Sequence, residues 1–90
     1  MKTGAELISN ERKRQIDEEG WTATHDDLHR EGDLSKAAIC YIMYPNVRCH
    51  EELWPFSLSW WKPSDRKRNL VRAGALIAAE IDRLIRSEKE

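Results

Sequence analysis

Ninety residues carrying 15 Lys+Arg against 16 Asp+Glu give a net charge of -1, which excludes a uniformly basic nucleic-acid binder and leaves only a local basic patch open. A chain this short supports one domain with a marginal core, so four tryptophans are a large share of what the core can hold. Cys40 and Cys49 form no C-x-x-C pair or disulfide framework, the opening MKTGAELISNERKR is too charged for a signal peptide, and no apolar run approaches the roughly 20 residues that span a bilayer. A reduced, cytoplasmic protein without a membrane partner is expected.

The pattern predicts three helices. From Ala5 to Glu19, Ala5, Ile8, Arg12, Gln15 and Ile16 share a thin face, Glu11, Lys13, Arg14, Asp17 and Glu18 form a solvated one, and Gly20 is a natural stop. Gly32 and Asp33 begin a second helix with Leu34, Ala37, Ala38, Tyr41 and Ile42 at helical spacing, closed by Pro45. The third runs from about Asp65 to Ser87, with Ser64 as its cap and Leu70, Ala73, Gly74, Ile77, Ile81, Leu84 and Ile85 keeping one apolar face. The expectation is a single all-α domain over 1–90, with two long loops, Trp21–Glu31 and Pro45–Lys62, of a length that is often functional.

The first loop, GWTATHDDLHREGD, crowds titratable groups. A structural account has Thr24 cap a short turn with Asp27 returning the bond. A metal account uses His25, Asp26 and His29, because His at i and i+4 can share an ion, but HDDLH lacks the glutamate that follows the first His in zinc proteases. A third account makes the loop a binding wall whose carboxylates accept from ribose hydroxyls or base amines. No nucleophile setting and no glycine-rich phosphate cradle is present, so no catalytic residue, metal or cofactor is expected.

The second loop holds Trp54, Phe56, Trp60 and Trp61 between Pro55 and Pro63, which reduce the entropy lost on ordering it. Some rings should complete the core over the small residues of helices two and three. Adjacent Trp60 and Trp61 must point apart, so at least one should reach the surface. Beside them Lys62, Arg66, Lys67, Arg68 and Arg72 oppose the dipole at the start of helix three. They require an anion: Glu51, Glu52 or Asp26 as ion-pair partner, or a bound phosphate flanked by a stacking ring.

Several strings carry a wider resemblance: Glu11 to Gln15 (ERKRQ), Glu19 to Thr22 (EGWT), His25 to His29 (HDDLH), Gly32 to Ala38, Trp54 to Phe56, Trp60 to Pro63 and Arg68 to Leu84. Together they resemble a family of small bacteriophage and prophage proteins, over most of the chain. Gly20-Trp21-Thr22 with Asp26-Asp27 is also similar to the ryanodine-receptor repeat, although the Trp to Asp-Asp spacing is shorter here and the following His-Pro is missing. The resemblance implies a phage context, in which small non-enzymatic proteins sequester nucleotide second messengers of host defence.

The expectation is therefore a nucleotide-like ligand held by Trp21, His25, Asp26, Asp27, His29, Trp60, Trp61, Lys62, Arg66 and Arg68, without specific nucleic-acid binding. Two alternatives stand beside it. One is an accessory module that binds a host protein through exposed Trp and Arg. The other is a metal-dependent nucleotide pyrophosphohydrolase, for which Glu18, Glu19, Glu80 and Asp82 are the available carboxylates, without the paired E-x-x-E helices of that class. A homo-oligomer is expected as well, burying Leu76, Ile77 and Leu84 or the Trp60-Trp61 edge.

Overall fold

The computed structural model describes residues 1–89. Where the pattern predicts three helices there are five, in the order α1 (Gly4–Glu19), α2 (Ala23–Asp27), α3 (Asp33–Met43), α4 (His50–Leu53) and α5 (Arg66–Glu88), with a 3-10 turn at Leu58–Trp60. The three expected helices are α1, α3 and α5. The two additions lie inside the loops, where four or five residues carry too little periodicity to register as helix. The fold is all-α, with no strand among the described residues.

Local chemistry sets the boundaries. Thr3 caps α1 in a reciprocal capping box with Glu6, and Gly20 ends it at φ 72°, a left-handed position suited to glycine. The first loop is capped by Thr22, not Thr24: the Thr22 hydroxyl accepts from the His25 amide at 3.3 Å, starting α2 two residues earlier than the expected capping box. For α5 the cap is Asp65, which accepts from the Arg68 amide at 2.8 Å. Ser64, the predicted cap, is instead clasped by buried Asn69, which accepts from the Ser64 amide at 2.7 Å and donates to its carbonyl at 3.0 Å. Carboxylate wins the cap because it sits one residue closer to the free amides of the first turn.

Helix α5, about 34 Å long at 1.5 Å per residue, is the spine against which α1, α2 and α3 pack. Its inward side takes Ala73 from the predicted face and Leu76 from the stripe expected to be exposed. Val71, Ala73, Ala75, Leu76 and Ala79 are buried, whereas Leu70, Ile77, Ile81, Leu84 and Ile85 are exposed. The large aliphatics form one face as predicted, but that face points outward. The physical reason is the aromatic cluster: Trp21, Tyr41 and Trp54 join Leu34, Ala37, Ala38 and Cys40 in the core, and rings of that volume need the small side of α5 opposite them. The molecule measures 39 × 36 × 21 Å, and the shortest of these accommodates two helical layers and no third to cover the other side.

Helix α1 also departs from expectation. Glu11, placed on the solvated face, is 1% exposed, while Ile16 of the predicted apolar stripe is 38% exposed. One apolar close approach between α1 and α5 is at Gly74, where a Cβ would lie 2.6 Å from Ile8 Cδ1, so the helices come together there because glycine removes the side chain between them.

Trp21 has 4% of its surface exposed and sits at the junction of α1, α2 and the second loop. Trp21→Ala is therefore expected to cost roughly 3–5 kcal/mol of unfolding free energy, measured as a lower urea midpoint at unchanged slope. A loss below about 1 kcal/mol would place the ring outside the core.

Candidate functional site

The second loop divides its rings between two clusters. Trp61 lies against Tyr41 (4.7 Å), Trp54 (5.0 Å), Tyr44 (5.5 Å) and His50, on which it stacks at 4.7 Å and 13°. Trp60 turns the other way, toward Trp21 at 6.1 Å. Trp60 closes the 3-10 turn and Trp61 leaves it in extended backbone, so the expected divergence of the two rings is present, and both remain half-buried at the rim of the core.

On the Trp60 side the first loop contributes its histidines. Trp21 stacks parallel to His25 (5.9 Å, 2°), the His25 and His29 rings are 4.7 Å apart, and Phe56 meets Trp21, His25 and His29 at 5.7, 6.0 and 4.9 Å. Each imidazole is held by a carboxylate: His25 Nδ1 lies 3.0 Å from Asp26 Oδ1 and His29 Nδ1 lies 3.0 Å from Asp33 Oδ2. That leaves both Nε2 atoms without a protein partner among the described residues, on side chains 27% and 26% exposed. A neutral imidazole held in this way accepts at Nε2, and a protonated one donates there. Lys62 completes the edge, its ammonium 5.3 Å from the Trp60 ring centre and 3.6 Å from Glu19.

Asp26 is fully buried and acts beneath this surface. Its other oxygen accepts from Arg12 at 2.6 Å, and Arg12 also donates to the Trp21 carbonyl at 3.2 Å. The chain Arg12–Asp26–His25 thus fixes the imidazole from below, and Asp26 is a positioning group with no surface of its own.

Of the ten residues singled out in the sequence, the structure gathers Trp21, His25, Asp26, His29, Trp60 and Lys62 into this patch. Four lie elsewhere. Trp61 belongs to the second cluster. Asp27 turns to the far end of α5, where Arg86 donates to it at 2.7 Å and holds its carboxyl below the usual range. Arg66 donates to the Ile42 carbonyl and borders an open apolar groove with Lys67, Leu70, Leu7 and Ile8. Arg68 donates to Glu11.

That last pair answers the question of the missing anion. The basic start of α5 is compensated by Glu11 of α1, not by Glu51, Glu52 or Asp26: Glu51 pairs with Arg48 and Asp26 with Arg12. Glu11 has no exposed side-chain surface and also receives both ends of the Arg14 fork at 2.8 Å each. Burial pushes its carboxyl up, but Arg14, with Arg68 and Arg72 behind it, outweighs burial and leaves it below its ordinary 4.5. Arg72, for its part, donates to the Lys62 carbonyl at 2.6 Å.

Glu11, Arg12, Phe56 and Asp33 are the site-forming residues that the candidate set lacked. The i,i+3 spacing of Glu11 and Arg14 was a signal for the first; nothing local announces that Arg68, 57 residues away, would close the clamp. The carboxylates available for a metal-dependent reaction are dispersed, Glu18 and Glu19 on Arg14 and Glu80 on Arg83. Among the described residues no three His, Cys, Asp or Glu stand close enough to hold a metal ion, and no helix is long and apolar enough to cross a membrane. Comparison with known proteins found no matching family, no similar curated protein and no similar solved structure.

The clamp predicts an acid dependence of stability. A carboxyl with a folded pKa below 4.5 contributes fully above that value, and the contribution is lost as pH falls through the depressed folded value. The melting temperature should therefore drop on acidification from about pH 5 to about pH 3. At neutral pH, Glu11→Gln should cost about 2–4 kcal/mol, below the roughly 3–5 of a fully buried pair because both arginines keep about a third of their surface exposed. The same variant should show a smaller acid-induced drop, and parallel melting curves for the two proteins across that range would refute the assignment.

Proposed function

We propose that this protein is a non-catalytic binding module that captures a small ligand with a planar ring and an anionic group, a nucleotide in chemical class, on the His25–His29–Phe56–Trp60–Lys62 face. The observation that carries this reading is the histidine pair: adjacent rings, each clasped at Nδ1 by a carboxylate, with both Nε2 atoms left to outside partners. Nε2 suits a ribose hydroxyl or base amine when neutral and a phosphate when protonated. Phe56 and the exposed part of Trp60 supply aromatic surface for a base, and the half-exposed Lys62 supplies positive charge.

The cations near Arg66 and Arg68 contribute less to this reading than the sequence suggested, because both guanidinium groups already donate within the chain. Sequestration is preferred to hydrolysis because the acidic side chains near the histidines are engaged by Arg12 and by the imidazoles themselves. The resemblance to small bacteriophage proteins supports a nucleotide signal of host defence as the captured molecule, in the cytoplasm of the infected cell.

Mass spectrometry of small molecules released on denaturing the purified protein, followed by calorimetric titration with linear and cyclic nucleotides, tests the reading. A nucleotide bound in a defined ratio is expected, and His29→Ala and Lys62→Ala should each weaken it by roughly 5-fold to 100-fold (about 1–3 kcal/mol). Circular dichroism should show both variants folded, with only a modest fall in melting temperature from loss of the His29–Asp33 and Lys62–Glu19 contacts. Recovery of no nucleotide, with no heat of binding up to millimolar concentration, would overturn it.

A further inference from the structure

Helix α5 has two apolar faces and the fold uses one. On the other, Leu70, Ile77, Ile81, Leu84 and Ile85 are 42, 43, 52, 45 and 45% exposed, along one side of the longest helix in the molecule. Single exposed aliphatics are ordinary, but a contiguous row of this kind marks an interaction surface. Leu70, Gly74, Ile77, Ile81 and Leu84 follow one another at alternating steps of four and three, with Lys67 continuing the series at the head and Glu88 at the tail. That is the spacing of a helix that seats against another helix along a seam.

We propose that this stripe is the seam of an antiparallel homodimer, in which α5 of one copy lies along α5 of a second copy. The charges at its two ends select both the partner and the direction. Arg66 and Lys67 are exposed at the head, Glu88 is exposed at the tail, and neither Lys67 nor Glu88 has an ion-pair partner among the described residues. A parallel pairing would set Lys67 on Lys67 and Glu88 on Glu88. An antiparallel pairing brings each Lys67 within about one turn of the other copy's Glu88, twice, with Ile77 and Ile81 at the centre. A stripe that complements itself under a two-fold axis closes at two copies.

The seam runs about 22 Å from Leu70 to Ile85, and Ile8 of α1 fills the space over Gly74, so its narrowest point is not a void. Leu76, which the sequence placed in the interface, is fully buried in the monomer and contributes nothing to it. The histidine patch stays open in this arrangement. It lies over α2, which is tied to α5 through Asp27 and Arg86, on a different side of that helix from Ile81.

Sedimentation velocity and light scattering of the intact chain between micromolar and millimolar concentration read the proposal directly. The expected species has twice the 10.6 kDa chain mass. Ile81→Glu should raise the dimer dissociation constant by roughly 100-fold or more, since it places a charge in the seam, while circular dichroism stays helical because Ile81 is solvent-facing in the monomer. Lys67→Glu and Glu88→Lys should each weaken the dimer and, combined in one chain, restore it. A monomer at every concentration, or a dimer indifferent to Ile81→Glu, overturns the proposal; a double charge swap that fails to restore association overturns its antiparallel direction. His29→Ala should leave association unchanged, so loss of ligand binding and loss of the dimer are distinguishable.

Discussion

A buried carboxylate holds the first helix to the rest of the molecule. Helix α1 buries only Glu11 and Gln15, too little apolar surface to dock a sixteen-residue helix by hydrophobic burial alone. Beside the contact of Ile8 with Gly74, it docks through ions: Glu11 on Arg68, Arg12 on Asp26 and Glu19 on Lys62. Removing a charge from water is costly, and an unpaired buried charge costs more than the pair ever contributes. The three ties therefore act less as a source of stability than as a specification of register. Slide α1 by one turn along α5 and Glu11 and Asp26 both lose their partners.

This constraint reaches the candidate site. Arg12 grips Asp26 and the Trp21 carbonyl together, Asp26 orients His25, and His25 stacks flat on Trp21. The imidazole is thus fixed by a salt bridge from below and an aromatic plane from beside. His29 is fixed separately by Asp33, the first residue of α3. A binding face assembled from two short elements would ordinarily lose affinity to the cost of ordering them. Here the ordering is done by the core, so the proposed binding face would be preorganised for a ligand.

The extents of α1, α3 and α5 were legible because capping residues and a long 3.6-residue period act locally: Gly20, Gly32 and Pro45 mark ends that any environment would respect. The orientation of α5 was not. Its sequence is apolar on both sides, small on one and large on the other, and periodicity reports the presence of a face without reporting what volume waits opposite. The aromatic loop decides that, and its packing is a tertiary fact. The burial of Glu11 was hidden for a similar reason: a glutamate between charged neighbours reads as solvated until an arginine from the far end of the chain closes over it. Clustering of the two histidines with Trp21 and Trp60 was anticipated from composition, whereas the part played by Phe56 required the loop's path.

The same asymmetry explains why one side of α5 is left uncovered. Tyr41, Trp21 and Trp54 fill the interior so that the α5 residues packed with them are mostly alanines, with Leu76 the one large aliphatic among them. The remaining large aliphatics of α5 then have no interior left to enter. Each keeps about half of its surface exposed, so polar replacement there would cost the monomer less than it would in the core. Five of them in a row are left exposed, and it is this row that the proposed antiparallel pairing would cover, with Lys67 and Glu88 at its two ends setting the direction.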